Sequence, residues 1–223
     1  MIRIAFFDLD GTLIDGDSEF AWSRFLVARG LDYMRDVERF QDEYLRGVLD
    51  IDEYMRFQLQ PLIREDWDTL LAWRSDYLGG ELDARLRSAA LDRIRAHRER
   101  GDVVVLASAS HDFLAEAIAT ELGIDECLAT RGERAEGRYT GRLSGAACFR
   151  EGKLHAVEHW LAERGLRLDQ LDESWFYSDS HNDLPLLAAV SHPVCVTPDA
   201  VLRERAQRES WRVVEGGAWG LLA

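Results

Sequence analysis

A chain of 223 residues can bury one substantial core and still carry an insertion. Its composition, 47% hydrophobic and 30% charged, is that of a globular protein and excludes a disordered one. Lys plus Arg number 27 against 41 Asp plus Glu, and the formal net charge of -14 argues against nucleic acid as a partner. The same surface repels phosphate esters at long range, so a phosphate site here must create its own positive field, most simply with a bound cation.

The chain opens on an apolar run, Ile2 to Phe7, closed by Asp8 and an Asp/Gly turn, which reads as a buried strand. It is too short for a signal sequence, and no later stretch approaches the roughly 18 apolar residues of a membrane span. Residues 15–80 hold no strand candidate and several amphipathic helices. Ser18 is placed to cap the first, which ends near Gly30. Tyr33, Val37, Phe40 and Tyr44 recur at helical spacing before Gly47, Pro61 breaks a third helix, and Trp67, Leu70, Leu71, Tyr77 and Leu78 mark a fourth. Gly79-Gly80 then reads as a hinge back to the sheet. Leu82 to Arg100 is a helix ended by Gly101, and "DVVVLAS" (102–108) is a second buried strand. Glycines every few residues over 131–145 indicate a hairpin flap. Leu154, Val157, Trp160 and Leu161 form a helical stripe that stops at Gly165, and 175–179, 192–197 and 211–214 are further strands.

Buried strands alternating with helices specify an α/β fold, a Rossmann-like parallel sheet with helices on both faces. The expected division is a catalytic core of 1–14 and 81–223 with an all-helical cap over 15–80. Cys127, Cys148 and Cys195 fit neither a disulfide framework nor a zinc cluster and read as inert thiols of a cytoplasmic protein. His97, His155, His159 and His192 read as surface or helix positions; His111 and His181, beside the polar strand ends, read as solvated or hydrogen-bonded loop residues.

Ligand sites of open parallel sheets lie at the carboxyl ends of the strands, which places Asp8 and Asp10 of "FFDLDGTLIDGDS" (6–18) correctly. Asp-x-Asp-Gly is also ordinary turn chemistry. Gly11 lets the backbone turn away and expose amides that could take an oxyanion. A carboxylate attacks phosphorus only if a cation offsets the anion repulsion, and a neighbouring carboxyl such as Asp10 could protonate the leaving alkoxide. Ser108 and Ala109 in "LASAS" (106–110) fall where a hydroxyl and amides could hold a phosphate oxygen. Lys153 starts a helix, normally the place of a solvated lysine. Asp179, Asn182 and Asp183 in "YSDSHNDLPLL" (177–187) follow a strand and make a metal half-site, or an Asx-turn with a helix cap.

These four segments, in this order, resemble the signature motifs of the haloacid dehalogenase-like hydrolase superfamily over essentially the whole chain. The resemblance implies a Mg²⁺-dependent phosphatase acting on a small phosphorylated metabolite, with Asp8 as nucleophile and Asp10 as acid/base. It implies that Asp8, the Asp10 carbonyl and Asp179 ligate Mg²⁺, with Asp183 acting through water or behind the metal. Ser108, Ala109, Lys153, Asn182 and the Gly11 region would bind the phosphoryl group. Dehalogenating members need no second carboxylate at Asp10, and a P-type pump needs membrane helices.

The helical insertion resembles the C1-type cap of the phosphoserine-phosphatase-like branch. Asp17 stands nine residues after Asp8, where that branch carries an acidic substrate reader, and it favours a cationic leaving group. Proteins with the "GDS" pattern include histidinol-phosphate phosphatases, so histidinol phosphate is the first expectation. Phosphoserine is the second; it would want a cap arginine such as Arg24, Arg46 or Arg56, and "SDSHND" departs from the glycine-rich form usual for its phosphatases. A receiver domain would lack Asp10 and residues 15–80, a DxD glycosyltransferase would leave Ser108 and Lys153 unexplained, and a silent binding protein would have no need of every motif residue.

Overall fold

The structure is a computed structural model that describes residues 1–32, 34–215 and 219. Tyr33, expected in the second helical stripe, lies outside them. Six parallel strands form one sheet in the order β3-β2-β1-β6-β7-β8: β1 (Arg3–Phe7), β2 (Val103–His111), β3 (Glu126–Thr130), β6 (Glu173–Ser178), β7 (His192–Val196) and β8 (Arg212–Val214). The continuous apolar runs are explained by burial on both faces. Ala5, Phe7, Val104, Leu106, Trp175 and Tyr177 join one cluster, while Ile4, Phe6, Val105, Ala107 and Phe176 join the other. The second face packs on α8 (Glu151–Ala162), α9 (Leu184–Leu187) and α10 (Ala200–Glu209). On the first lie α6 (Ser88–Glu99) and α7 (Asp112–Glu121).

Between β1 and β2 come five helices: α1 (Ser18–Ala28), α2 (Met34–Leu45), α3 (Ile51–Gln58), α4 (Gln60–Arg64) and α5 (Trp67–Tyr77). They have a small core of their own around Phe20, Val37, Phe40, Tyr54 and Met55. Trp22, Leu26, Leu70 and Tyr77, however, belong to the same apolar cluster as the sheet. The flap is an antiparallel pair, β4 (Gly132–Ala135) and β5 (Arg138–Leu143), turned by Glu136 and Gly137, both with positive φ (50° and 80°). That is the backbone a two-residue hairpin matched to strand twist requires.

Several local expectations are corrected. Asp17, not Ser18, caps α1, accepting the Phe20 N–H at 2.8 Å. Pro61 starts α4, where its missing N–H is no loss. Gly79 and Gly80 lie inside a wide helical turn, Leu78–Leu82, instead of an open hinge. α6 begins at Ser88 because Leu86 bridges to Ile14 and the Arg87 N–H bonds the Leu13 carbonyl, tying that stretch to the loop after β1. His97 is on a helix but fully buried, bridging Asp102 (2.8 Å) and the Tyr177 hydroxyl (2.9 Å); burial pushes its pKa down to about 4. The three cysteines are free and burial pushes each thiol up, consistent with inert groups. Among the described residues no helix is long and apolar enough to cross a membrane.

Candidate active site

Because β1 lies between β2 and β6, the residues that follow these three strands converge at one end of the sheet. The ladder holds as far as Asp8, whose N–H donates to the Tyr177 carbonyl at 2.9 Å. Lys153 is buried, against the usual fate of a lysine in a first helical turn, and its Nζ stands 2.8 Å from Asp8 Oδ1. The same ammonium is 2.8 Å from Asp183, which also accepts the Ser178 hydroxyl at 2.7 Å. Gly152 makes this possible: a Cβ there would stand 2.0 Å from the Ala147 carbonyl oxygen, so any other residue would push the start of α8 and Lys153 outward. Burial drives the Asp8 carboxyl up to about 7, Lys153 opposing and the Asp183 and Asp10 charges reinforcing the shift. Lys153 itself stays cationic, its two carboxylates outweighing desolvation.

Asp10 is held from two sides. Oδ1 accepts the Ser18 N–H at 2.6 Å, the first amide of α1, and Oδ2 accepts the Ser110 hydroxyl at 3.1 Å. Burial, then the Asp17 charge, raises this carboxyl to about 7 as well. A carboxyl poised near neutrality beside a second one is suited to proton transfer in both directions. Asp179, at the end of β6, is pushed well up by burial and by Asp8 and Asp183; Thr12 Oγ1 reaches it only at 3.4 Å.

The other expected residues divide. Ala109, Asn182 and Asp183 line the cavity with Asp8, Asp10, Asp179 and Lys153, and Asn182 is oriented by Arg150 Nε at 3.0 Å. Ser108 is fully buried behind that wall, its Oγ accepting the Ser110 N–H at 3.1 Å. Ser110, two residues on, is the serine that lines the cavity, and sequence reading passed over it. Gly11 is no amide cradle: its N–H donates to the Gly16 carbonyl at 2.9 Å. Its role is room, since at φ +70° a Cβ would come within 2.0 Å of Asp179 Oδ2. Asp17 lines the cavity while capping α1. Arg56 is exposed in the last turn of α3 and away from the cavity wall; Arg24 and Arg46 are likewise exposed, bonded to Gln41 and Asp42.

His111 is also corrected: it is fully buried at the end of β2, driven down to about 4 by burial. His181 does hydrogen-bond, through Nδ1 to Asp199 at 2.8 Å. Glu19, Phe20, Tyr44 and Tyr54 from the helices complete the cavity, which encloses about 590 Å³ partly open to solvent. None of these four was expected there, because only the packing of α1, α2 and α3 turns them toward the strand ends.

Comparison with known proteins decides the family. The haloacid dehalogenase-like hydrolase model matches residues 5–188. The chain belongs to that family. This haloacid dehalogenase-like hydrolase is 36% identical to a histidinol-phosphatase of Neisseria meningitidis, over 96% of this chain and 99% of the relative. It is 32% identical to the phosphoserine phosphatase SerB1 of Mycobacterium tuberculosis, over 94% of this chain and 69% of that one. A Bordetella pertussis protein of unknown function has the same structure with a TM-score of 0.90 and 38% identity, over 96% and 98% of the two chains. A substrate-bound phosphoserine phosphatase shares the fold at a TM-score of 0.70 and 18% identity, over 97% and 94%. The enzyme is a phosphoric monoester hydrolase of this family.

A hydrolase of this family calls for a test of metal fit. Among the described residues no three His, Cys, Asp or Glu side chains are grouped closely enough to hold an ion by themselves. A Mg²⁺ site needs fewer, since that ion keeps waters and shares substrate oxygens. Asp8, the Asp10 carbonyl and Asp179 offer hard oxygen donors, and the raised Asp179 carboxyl marks negative charge that Lys153 alone does not offset. Asp183 is engaged by Lys153 and Ser178, which suits a role behind the ligands.

Proposed function

We propose that this enzyme hydrolyses a small-metabolite phosphomonoester through a phosphoaspartyl intermediate on Asp8, with Mg²⁺ as cofactor. The observation that carries the reading is the pair of buried carboxyls at the end of β1, Asp8 salt-bridged to Lys153 at 2.8 Å and Asp10 poised near neutrality between Ser18 and Ser110.

In the first half-reaction an Asp8 carboxylate oxygen attacks phosphorus and the ester P–O bond breaks. Protonated Asp10 gives its proton to the departing alkoxide. In the second, Asp10, now a carboxylate, takes a proton from water as that water attacks the phosphoryl group, freeing Asp8 and inorganic phosphate. Lys153 and the Ala109–Ser110 wall hold the phosphoryl oxygens. Bound Mg²⁺, ligated by Asp8, the Asp10 carbonyl and Asp179, would screen the repulsion between carboxylate and phosphate. The helices over 15–80 act as the cap that shields the phosphoenzyme from bulk water and reads the alcohol.

Histidinol phosphate is the preferred substrate. Among the described residues lining the cavity the only basic side chain is Lys153, which faces Asp8 and Asp183; Asp17 and Glu19 stand on the alcohol side. Such a wall accepts an ammonium group and offers no arginine to the carboxylate of phosphoserine, the second candidate. The test is phosphate release from a panel of esters including both compounds and p-nitrophenyl phosphate. Asp8→Asn should lower turnover of every ester at least about a thousandfold; retained activity in that variant would remove the mechanism.

A further inference from the structure

Two acidic side chains of α1 face the alcohol side of the cavity, and their surroundings differ. Asp17 is already matched: its carboxylate caps the helix, where backbone N–H groups and the helix dipole hold its charge. Glu19 has no such partner. It is 3% exposed, accepts the His111 N–H at 2.7 Å, and stands near the Asp10 and Asp17 charges with no cation beside it. A glutamate is almost never buried this fully unless it is paired.

The groups around Glu19 are organised to keep it in place. Ser23 donates to Gln58 Oε1 at 3.0 Å, and Gln58 Nε2 donates to the Tyr54 hydroxyl at 2.6 Å. With its oxygen accepting from Gln58, Tyr54 turns its own proton to Glu19. This chain of four buried side chains fixes the carboxyl from both α1 and α3. Behind it the His111 imidazole is fully buried with neither ring nitrogen hydrogen-bonded, Nε2 lying 3.9 Å from Glu19. Held neutral by burial, it supplies no counter-charge. The wall beside Glu19 is apolar and aromatic, formed by Phe20, Leu49, Ile51 and Met55.

We propose that Glu19, rather than Asp17, is the residue that selects the substrate, by pairing with an ammonium group on the alcohol portion of the phosphate ester. The substrate class is therefore the phosphate of an amino alcohol whose remaining body is apolar or aromatic. A cation entering here finds a desolvated carboxylate and the faces of Phe20 and Tyr54, which strengthen the pairing relative to water. This rests on the phosphatase reading above.

The experiment measures kcat and KM of the wild type, Glu19→Gln, Asp17→Asn and Tyr54→Phe on histidinol phosphate and on glycerol 3-phosphate, which has no cation. The readout is the ratio of kcat/KM for the two esters. Glu19→Gln keeps an oxygen for the His111 N–H and should cut the ratio about tenfold to a hundredfold, chiefly through KM. Asp17→Asn, still a good helix cap, should leave the ratio within about threefold. Tyr54→Phe should lower it severalfold, and serves if Glu19→Gln does not fold. In the wild type histidinol should inhibit hydrolysis of p-nitrophenyl phosphate competitively, and glycerol should not. A wild-type ratio near one, equal loss on both esters in Glu19→Gln, or a collapse confined to Asp17→Asn would overturn the assignment while leaving the phosphatase intact. Absence of phosphate release from every ester would instead overturn the phosphatase reading.

Discussion

The two walls of the cavity are built on different terms. The sheet side, Asp8, Asp10, Lys153, Asp179 and Asp183, hangs from the ends of adjacent strands, and its charges touch one another at 2.8 Å. The helical side, Asp17, Glu19, Tyr44 and Tyr54, comes from three separate helices joined by side-chain hydrogen bonds and an aromatic core. Backbone ladders leave the first group little freedom, which suits chemistry that is the same for any phosphomonoester. The second depends on packing between helices, which can change from one relative to another without disturbing the strand ends. In this enzyme the reacting centre and the selecting surface are therefore separable.

That separation can be broken experimentally. The largest effect should come from the metal: chelation with EDTA should abolish turnover of all esters, and Mg²⁺ should restore it. Activity that survives chelation would mean that Lys153 alone offsets the anionic cluster. Next is Gly11→Ala, which places a Cβ 2.0 Å from Asp179 Oδ2 at a positive φ. It should weaken Mg²⁺ affinity about tenfold to a hundredfold and destabilise the fold by about 1–2 kcal/mol. A normal titration of activity with Mg²⁺ would show that Asp179 can move aside.

The smallest effect belongs to the helical wall. The Asp17 carboxyl is raised by burial from 3.8 to about 6. The folded protein thus holds a proton there that the unfolded chain has lost, and the associated stability is full below about pH 4 and gone above about pH 6. Asp17→Asn should remove that slope, gaining roughly 1–2 kcal/mol on the wild type between pH 4 and pH 7 in metal-free thermal melts. Parallel melting curves for the two proteins would show that solvent already screens the group.

How much of this was legible in the sequence follows the same division. Asp8, Asp10, Lys153 and Asp179 could be read because each follows a buried strand or opens a helix, and strand ends converge wherever the sheet is parallel. The strand β3 escaped notice because only Leu128 and Thr130 of its five residues are buried, and an edge strand of that kind carries no clear period. Ser110 was hidden by Ser108, identical in type and two residues away on the same strand. The exposed Arg56 and the buried His97 and His111 show the limit of composition as a guide to burial.

By itself the sequence determined the α/β architecture, the inserted helices and the reacting carboxyls, since hydrophobic period and turn chemistry are local properties. Only the tertiary structure decided that Gly11 makes space for Asp179 instead of binding phosphate, and that Asp17 caps a helix while Glu19 stands unpaired against the cavity. Those outcomes depend on distances between segments far apart in the chain: 168 separates Gly11 from Asp179 in numbering, and 92 separates Glu19 from His111. No local pattern encodes such distances; they arise when the packed sheet and helices meet.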